Sequence, residues 1–294
     1  MWIVLAGVAI VAGAGPWLAQ RQRAARGLKP QDLLRTPDQQ ARDSLFAELQ
    51  PVKLANCELE RFGEKHDGGY LLCTNLLASV KSAYSYGISG YDGWGCAVST
   101  RLKVRTHQYD CFDPTQPACP GGDTLFHSEC IGPDATTDKE RRPFDTLEHQ
   151  VVKNGDAGKY LVVKMDVEGA EWRSLMQTPD DVLERIDQIA IELHDFGRDF
   201  GRFVGVVSRL KQFFHVAHLH FNNYSCMKGL EPFPAQAYEV LFVSKRIAKL
   251  DGPGIPARPH PLDAPNNPAL PDCQFAEPAR SEIPPRASTG EDGR

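Results

Sequence analysis

The chain has 294 residues, of which 41% are hydrophobic and 24% charged, and its formal net charge is -5 at pH 7. This length suits one large α/β domain or two small ones. The net negative charge gives no sign of the basic surface that binds nucleic acid, so we expect no nucleic-acid partner.

Cysteine is unusually frequent, but none of the eight cysteines forms a CxxC pair, which excludes zinc-ribbon spacing. In an exported domain, Cys111 and Cys119 would close a short disulfide loop. Cys73 and Cys96 lie in apolar stretches, where we expect buried reduced thiols. The even number of cysteines does not decide between these states.

The chain begins with an uncharged apolar stretch close to the shortest that spans a membrane as a helix. We predict a transmembrane anchor over residues 1–20, because a cleaved signal peptide would carry a basic segment before its apolar run. The basic residues that follow place the rest of the chain on the cytoplasmic side. The cysteines and the sequon at residues 223–225 favour a lumenal or periplasmic side instead. Residues 21–50 are predicted to be a linker and a short helix.

A domain is predicted over residues 51–248, beginning with a hairpin that ends in the strand 70–73. A strand, a glycine turn and a helix follow, although Gly87 and Gly90 do not spell GxGxxG. The next strand, predicted over 107–112, ends at Asp113. An acid roughly 25 residues beyond a glycine turn is in the position that binds a ribose hydroxyl, with an ordinary Asp-Pro turn as the alternative.

The central segment is YLVVKMDVEGAEW, residues 160–172. Its apolar run predicts a strand over 161–166 that is buried on both faces of a parallel sheet. If the strand continues, Asp166 and Glu168 lie on one side at its carboxyl end, where ligands bind in open α/β sheets. The alternative is that both carboxylates only cap the helix that follows.

The remaining strands are predicted at 187–194, 213–224 and 237–244, and the first of them ends in charge at Glu192 and His194. The second of these strands carries three histidines, His215, His218 and His220. Two of them could lie on one strand face, but no clear third ligand accompanies that pair, so we do not expect a zinc site. The Pro-rich segment 249–294 has no hydrophobic periodicity, and we predict that it is disordered.

The segment KMDVEGAEW resembles the signature of FkbM-type S-adenosylmethionine-dependent methyltransferases, in the branch that includes methyltransferase-like protein 24. The resemblance covers about residues 57–246, and other similar pieces occur in the same order: DGGYLLC at 67–73, YSYGI at 84–88, FDP at 112–114 and IELH at 191–194.

The resemblance implies a class I methyltransferase fold: a Rossmann-like, doubly wound, mostly parallel seven-stranded sheet. It also implies S-adenosyl-L-methionine as the cofactor. The turn formed by Tyr86, Gly87 and Ile88 would lie against the methionine end, Asp113 with Pro114 would hold the ribose hydroxyls, and Asp166 would lie near the transferred methyl group. The loop GISGYDG replaces the acidic-Gly-x-Gly pattern that is common in methyltransferases.

Methyl transfer to a hydroxyl needs a positioned acceptor and removal of its proton. We expect His194 to be the general base, with Glu168 or Glu192 orienting it. No resident metal is predicted, although Asp166, Glu192 and Asn222 offer a divalent cation an alternative site. FkbM-type relatives imply a sugar or small-molecule hydroxyl as acceptor. The alternatives are an NAD(P)-dependent oxidoreductase, which should carry the missing GxGxxG, and a membrane-tethered binding module without catalysis.

Overall fold

A computed structural model of the chain describes residues 36–195, 199–252, 254–256 and 258–273. The predicted anchor over residues 1–20 lies outside these residues. No helix among the described residues is both long and apolar enough to cross a membrane. Contacts divide the chain into two units, residues 1–40 and 41–294, and the sheet and the candidate site both lie in the second unit.

The described residues form twelve strands and six α-helices. The strands are β1 (Leu59–Phe62), β2 (Tyr70–Cys73), β3 (Ser82–Tyr86), β4 (Arg105–Tyr109), β5 (Thr124–His127), β6 (Cys130–Ile131), β7 (Thr136–Thr137), β8 (Pro143–Asp145), β9 (Leu161–Met165), β10 (Ile186–His194), β11 (Phe214–Phe221) and β12 (Ala237–Ser244). The helices are α1 (Pro37–Glu48), α2 (Gly93–Leu102), α3 (Leu147–Lys153), α4 (Glu171–Gln177), α5 (Asp180–Leu183) and α6 (Phe200–Phe213).

Seven strands form one sheet in the order β11-β12-β10-β9-β3-β4-β5. Strand β12 is antiparallel to both of its neighbours, and the other pairings in this sheet are parallel. The expectation of an α/β fold with a mostly parallel seven-stranded sheet is therefore confirmed. From the centre, the chain proceeds outward through β3, β4 and β5 on one side and through β9 and β10 on the other. The neighbours β3 and β9 thus form a topological switch point, where ligands bind in open α/β sheets.

Both faces of the sheet are covered, which explains the near-continuous apolar runs of its central strands. Adjacent strand residues alternate between two cores, as Val162 and Val163 do in β9. One core contains buried side chains of α3, α4 and α6. The other contains buried side chains of α2 and of the β1–β2 hairpin. The carboxyl edge between these layers therefore carries the polar residues that follow the strands.

Several predicted element boundaries differ from the structure. The strand predicted over 107–112 is β4, which ends at Tyr109, because Asp110 turns out of the ladder and accepts hydrogen bonds from loop amides. The apolar segment TLFHSECI at residues 124–131, which reads as one strand in the sequence, is divided into β5 and β6, which belong to different sheets. Strand β12 has the predicted bounds.

All eight cysteines form disulfides, so the expectation of reduced thiols at Cys73 and Cys96 is wrong. Cys111 pairs with Cys130 rather than with Cys119, because Cys111 follows β4 by two residues and its Cα lies 5.1 Å from that of Cys130 at the start of β6. The pairs are Cys57–Cys73, Cys96–Cys119, Cys111–Cys130 and Cys226–Cys273.

The Pro-rich segment differs from its prediction over residues 258–273, here called the C-terminal strap. His218 Nε2 lies 2.7 Å from Asp263 Oδ1, and the Cys226–Cys273 disulfide fastens the far end of the strap. Buried Asn223 donates its side-chain amide to the strap carbonyls of Asn267, Leu270 and Pro271. Periodicity misses such a segment, because its polar contacts and its disulfide leave no repeating apolar pattern. The sequon asparagine is therefore engaged inside the folded domain.

Candidate functional site

A loop at residues 87–90 follows β3 at the switch point. Gly87 has a φ of 69°, and a Cβ built on it would lie 1.6 Å from the backbone oxygen of Asp166. Gly90 has a φ of 76°, and a Cβ added there would lie 2.8 Å from Asp113 Oδ2. Both positions favour glycine because of their left-handed backbone, and at Gly87 the nearby backbone of Asp166 also excludes a side chain. The loop thus brings the ends of three strands together.

Asp110 holds this loop in place, and no local sequence pattern predicts that role. Its Oδ2 accepts hydrogen bonds from the backbone N–H groups of Ile88 at 3.0 Å and Ser89 at 2.8 Å. Its Oδ1 accepts from the backbone N–H groups of Phe112 and Asp113. The segment YDCFDP contains two aspartates, Asp110 and Asp113. Only the contacts in the structure show that Asp110 is the one that holds the loop.

The predicted cofactor-binding residues differ in what they present to the crevice. The side chain of Tyr86 is fully buried and stacks on Tyr109 at 4.9 Å, so only its backbone reaches the switch point. Ile88 is buried and Pro114 is exposed. Asp113 lies against Gly90, and hydrogen bonds with Thr115 lower the pKa of its carboxyl group. Asp113 is therefore a charged acceptor beside the glycine loop.

Asp166 directly follows the last residue of β9, and its backbone N–H donates to Tyr86 O at 3.2 Å. The Tyr70 hydroxyl donates to Asp166 Oδ2 at 3.0 Å, and Lys164 Nζ lies 3.6 Å from the same oxygen. Asp166 Oδ1 is 3.9 Å from His194 Nε2. Asp166 thus contacts the end of β3 through its backbone and the end of β10 through its carboxylate.

Glu168 approaches the same histidine by a different route from the one predicted. Strand β9 ends at Met165, so strand alternation does not act on Asp166 and Glu168. Instead, Glu168 adopts a left-handed φ of 54° in the turn, and its exposed side chain places Oε2 3.6 Å from His194 Nε2. Neither carboxylate is the N-cap of α4, because that position is Ala170, which makes no side-chain capping hydrogen bond.

Buried Glu171, the first residue of α4, is a second site residue that local sequence patterns do not reveal. Its Oε1 accepts from the backbone N–H of His194 at 2.6 Å and lies 3.3 Å from His194 Nδ1. Its Oε2 accepts from the Gly169 N–H at 2.8 Å. The periodicity of AEWRSLM shows that this glutamate begins a helix, and only the fold shows that it contacts β10.

His194 lies among carboxylates at the end of β10, with Nε2 3.3 Å from Glu192 Oε1. Burial alone would lower the pKa of His194, but hydrogen bonds to Glu171 and Glu192 raise it to about 11. The imidazole is therefore protonated at neutral pH. This charge state does not suit the predicted role of general base, which requires an imidazole able to accept a proton.

Glu192 is almost fully buried, and burial raises its pKa to about 7. The Asn222 amide donates to Glu192 Oε1 at 2.9 Å, while Asn222 Oδ1 accepts from the backbone N–H of Tyr224. Asn222 therefore orients Glu192, and its own oxygen is already used. The proposed alternative of Asn222 as a metal ligand does not fit this arrangement.

Asp166, Glu192 and His194 form a compact group in which one ligand atom from each lies within 4.8 Å of the others. The group can hold a polar acceptor or a cation at the switch point. His218 and His220 point to a different region, where they pair with Asp263 and Asp272 of the C-terminal strap. Comparison of this chain with protein-family models, curated proteins and solved structures gives no match.

Proposed function

We propose that this protein is an S-adenosylmethionine-dependent methyltransferase that acts on a hydroxyl group. The observation that carries the proposal is the meeting of the glycine loop, Asp113 and Asp166 at the switch point between β3 and β9. Open α/β sheets bind ligands in this crevice. The seven-stranded sheet with one antiparallel strand also agrees with the class I methyltransferase fold that the sequence resemblance implies.

The residues at the crevice fit such a cofactor. Gly87 and Gly90 keep the loop free of side chains, so a ligand can approach its backbone. Asp113 supplies a charged acceptor for ribose hydroxyls, in the position expected after the second strand. Asp166 lies one loop away, where its carboxylate faces His194. When bound, the cofactor supplies an electrophilic methyl group on a sulfonium.

The acidic group around His194 is suited to hold the acceptor and take its proton. With a pKa raised to about 7 by burial, Glu192 is better matched to proton abstraction at neutral pH than protonated His194. We assign His194 a positioning role, with Nε2 as the donor that orients the acceptor oxygen. With the cofactor bound, Glu192 would take the hydroxyl proton while the acceptor oxygen receives the methyl group that the sulfonium supplies.

We also infer that the domain matures in an oxidising compartment. Four disulfides connect its described cysteines, and such pairs are rare in proteins of the reducing cytosol. This inference opposes the cytoplasmic side that the basic flank predicts. The anchor over residues 1–20 remains a prediction, as does the contact it would make with a membrane.

Calorimetric titration of the full oxidised chain tests the cofactor. We expect S-adenosylmethionine to bind and NADH not to bind. Asp113→Asn should weaken S-adenosylmethionine binding at least tenfold, about 1.4 kcal/mol, because the ribose hydroxyls lose a charged acceptor. Glu184→Gln is the matched control, because this exposed residue precedes the amino end of β10.

The control should bind S-adenosylmethionine as tightly as the wild type does. A folded wild-type chain that does not bind the cofactor would contradict the methyltransferase proposal. Binding of NADH instead would favour the oxidoreductase.

A further inference from the structure

We propose that Asp166, Glu192 and His194 bind one divalent cation of the first transition row. His194 Nε2 lies 3.3 Å from Glu192 Oε1 and 3.9 Å from Asp166 Oδ1. Ligand atoms that share one such ion at about 2.1 Å lie roughly 3 to 4 Å from one another. The three side chains therefore need only small rotations, together with release of the proton on His194 Nε2, to coordinate a common ion.

The charge balance of the group favours a cation. The carboxylates of Asp166, Glu171 and Glu192 converge on a single imidazole, and Glu171 is 0% and Glu192 4% exposed. Buried carboxylates are usually paired with cations or bound to metals. Lys164 does not supply that charge at the centre of the group, because it faces Asp166 Oδ2 and donates to the carbonyl of Gly87 at 2.8 Å.

Glu192 is held inside the group with one oxygen toward His194. Its Oε1 accepts from Asn222 and faces His194, and only 5% of the side chain is exposed. A buried carboxylate is costly unless hydrogen bonds, a cation or a metal ion compensate its charge. The burial of Glu192 is an observation separate from the spacing of the three side chains.

Each candidate ligand is held from outside the group by a different residue. The Tyr70 hydroxyl donates to Asp166 Oδ2 at 3.0 Å, and Asn222 donates to Glu192 at 2.9 Å. Glu171 lies at His194 Nδ1, which directs Nε2 toward the other two ligands. A carboxylate on the second nitrogen of a ligating histidine is a regular feature of metal sites, because it fixes the ring orientation.

The donor set indicates the class of ion. Two carboxylates and one imidazole nitrogen suit manganese, iron or zinc better than magnesium or calcium, which prefer oxygen ligands alone. The role of the cation rests on the proposed function: it would lower the pKa of an acceptor hydroxyl bound to it. With the cation bound, Glu192 and His194 act as ligands in place of the proton-acceptor and donor roles described above for the site without metal. Exposed Glu168 is then the carboxylate that remains beside the site to accept the proton.

Mn²⁺ is the probe, because its free aqueous form gives an electron paramagnetic resonance signal that is lost on binding. The full oxidised chain is first treated with a chelator and then titrated with MnCl₂. We expect one tight site per chain. Asp166→Asn and Glu192→Gln should each weaken Mn²⁺ binding tenfold or more, and Asp166→Glu should recover part of the loss.

The control is Asp123→Asn, which removes the same charge from an exposed pair with Arg105. It should bind Mn²⁺ as the wild type does. Pulsed resonance spectra of the bound ion should show nitrogen coupling from His194, which a site made only of carboxylates would not produce. The unfolding midpoint of each variant in chelator establishes that it is folded.

The proposal is overturned if the folded wild type binds no Mn²⁺, if the ligand variants bind it as tightly as the wild type, or if the nitrogen coupling is missing. S-adenosylmethionine binding is measured separately in chelator on the same samples. Mn²⁺ binding without cofactor binding would support the metal site and contradict the methyltransferase. Cofactor binding without Mn²⁺ binding would support the methyltransferase and contradict the metal site.

Discussion

Asp156, in the loop between α3 and β9, is a buried charged residue that several partners surround. Asp156 is 3% exposed, and it accepts hydrogen bonds from the Tyr84 hydroxyl at 2.8 Å and from Lys159 Nζ at 2.6 Å. His107 Nε2 lies 3.3 Å from the same carboxylate. Burial alone would raise the pKa of Asp156, but the hydrogen bonds with His107 and Lys159 hold it well below its ordinary value.

Asp156→Asn should therefore destabilise the protein in a pH-dependent way. Because the folded-state pKa lies below the unfolded value of about 3.9, the carboxylate stabilises the protein above about pH 4, and this contribution is lost as the pH falls further. We expect the free energy of unfolding to decrease by about 1–3 kcal/mol near pH 7.

Urea denaturation near neutral pH and near pH 3 measures the difference between wild type and variant, which should be smaller in acid. Asp123→Asn, at an exposed pair, should show little difference at either pH. An Asp156→Asn effect that is equal at both pH values would contradict this account.

At the scale of elements, helix α4 determines where strand β10 presents its last residue. Trp172 Nε1 donates to the backbone oxygen of His194 at 2.6 Å, and Glu171 accepts from its backbone N–H. The Trp172 ring stacks on Phe203 of α6 at a centroid distance of 4.0 Å, which ties α4 to the neighbouring helix. The position of His194 in the site therefore depends on the packing of two helices.

Trp172→Phe should distinguish the contribution of the hydrogen bond to stability from that of ring packing. The phenyl ring keeps a stacking partner for Phe203 but leaves the His194 carbonyl without its donor, so we expect a loss of about 1–3 kcal/mol in the free energy of unfolding. Trp172→Ala should cost about 3–5 kcal/mol, because a cavity adds to that loss.

The matched control is Trp94→Phe, since buried Trp94 Nε1 has no hydrogen-bond partner among the described residues. Its substitution removes no hydrogen bond and should cost less than Trp172→Phe. Equal losses for the two phenylalanine variants, measured by chemical denaturation, would show that the bond to His194 contributes little.

At the scale of the molecule, disulfides connect segments that are distant in sequence. The Cys226–Cys273 pair spans 47 residues and fastens the C-terminal strap beside β11. The strap buries Asn266, whose amide donates to Glu239 Oε1 of β12 at 2.8 Å. The last described segment is therefore part of the folded domain, and one covalent bond restrains its end.

Cys226→Ser combined with Cys273→Ser should release this restraint. Loop entropy predicts a loss of about 4 kcal/mol in the free energy of unfolding. Limited proteolysis of the native protein should then cut within the strap, which the wild type protects. In the control, Cys96→Ser with Cys119→Ser, stability should also fall, but the strap should remain protected. Equal protection of the strap in both double variants would show that its polar contacts suffice to hold it.

The sequence by itself determined the succession of strands in the large sheet, because buried strands leave local apolar patterns, but it missed the three-stranded sheet of β6, β7 and β8. It also predicted that Asp166, Glu168, Glu192 and His194 would gather, since carboxyl ends of parallel strands share one edge. These patterns did not reveal Asp110 or Glu171, whose partners lie on other elements.

Only the tertiary structure decided the disulfide pairing, because eight cysteines allow about 105 pairings and the choice depends on distances across the fold. It likewise decided the packing of the strap, which rests on polar contacts with strands far away in sequence. The charge state of His194 also follows from the fold, since Glu171 and Glu192 reach it from different elements. Local sequence records burial and periodicity, whereas these features depend on which distant groups become neighbours.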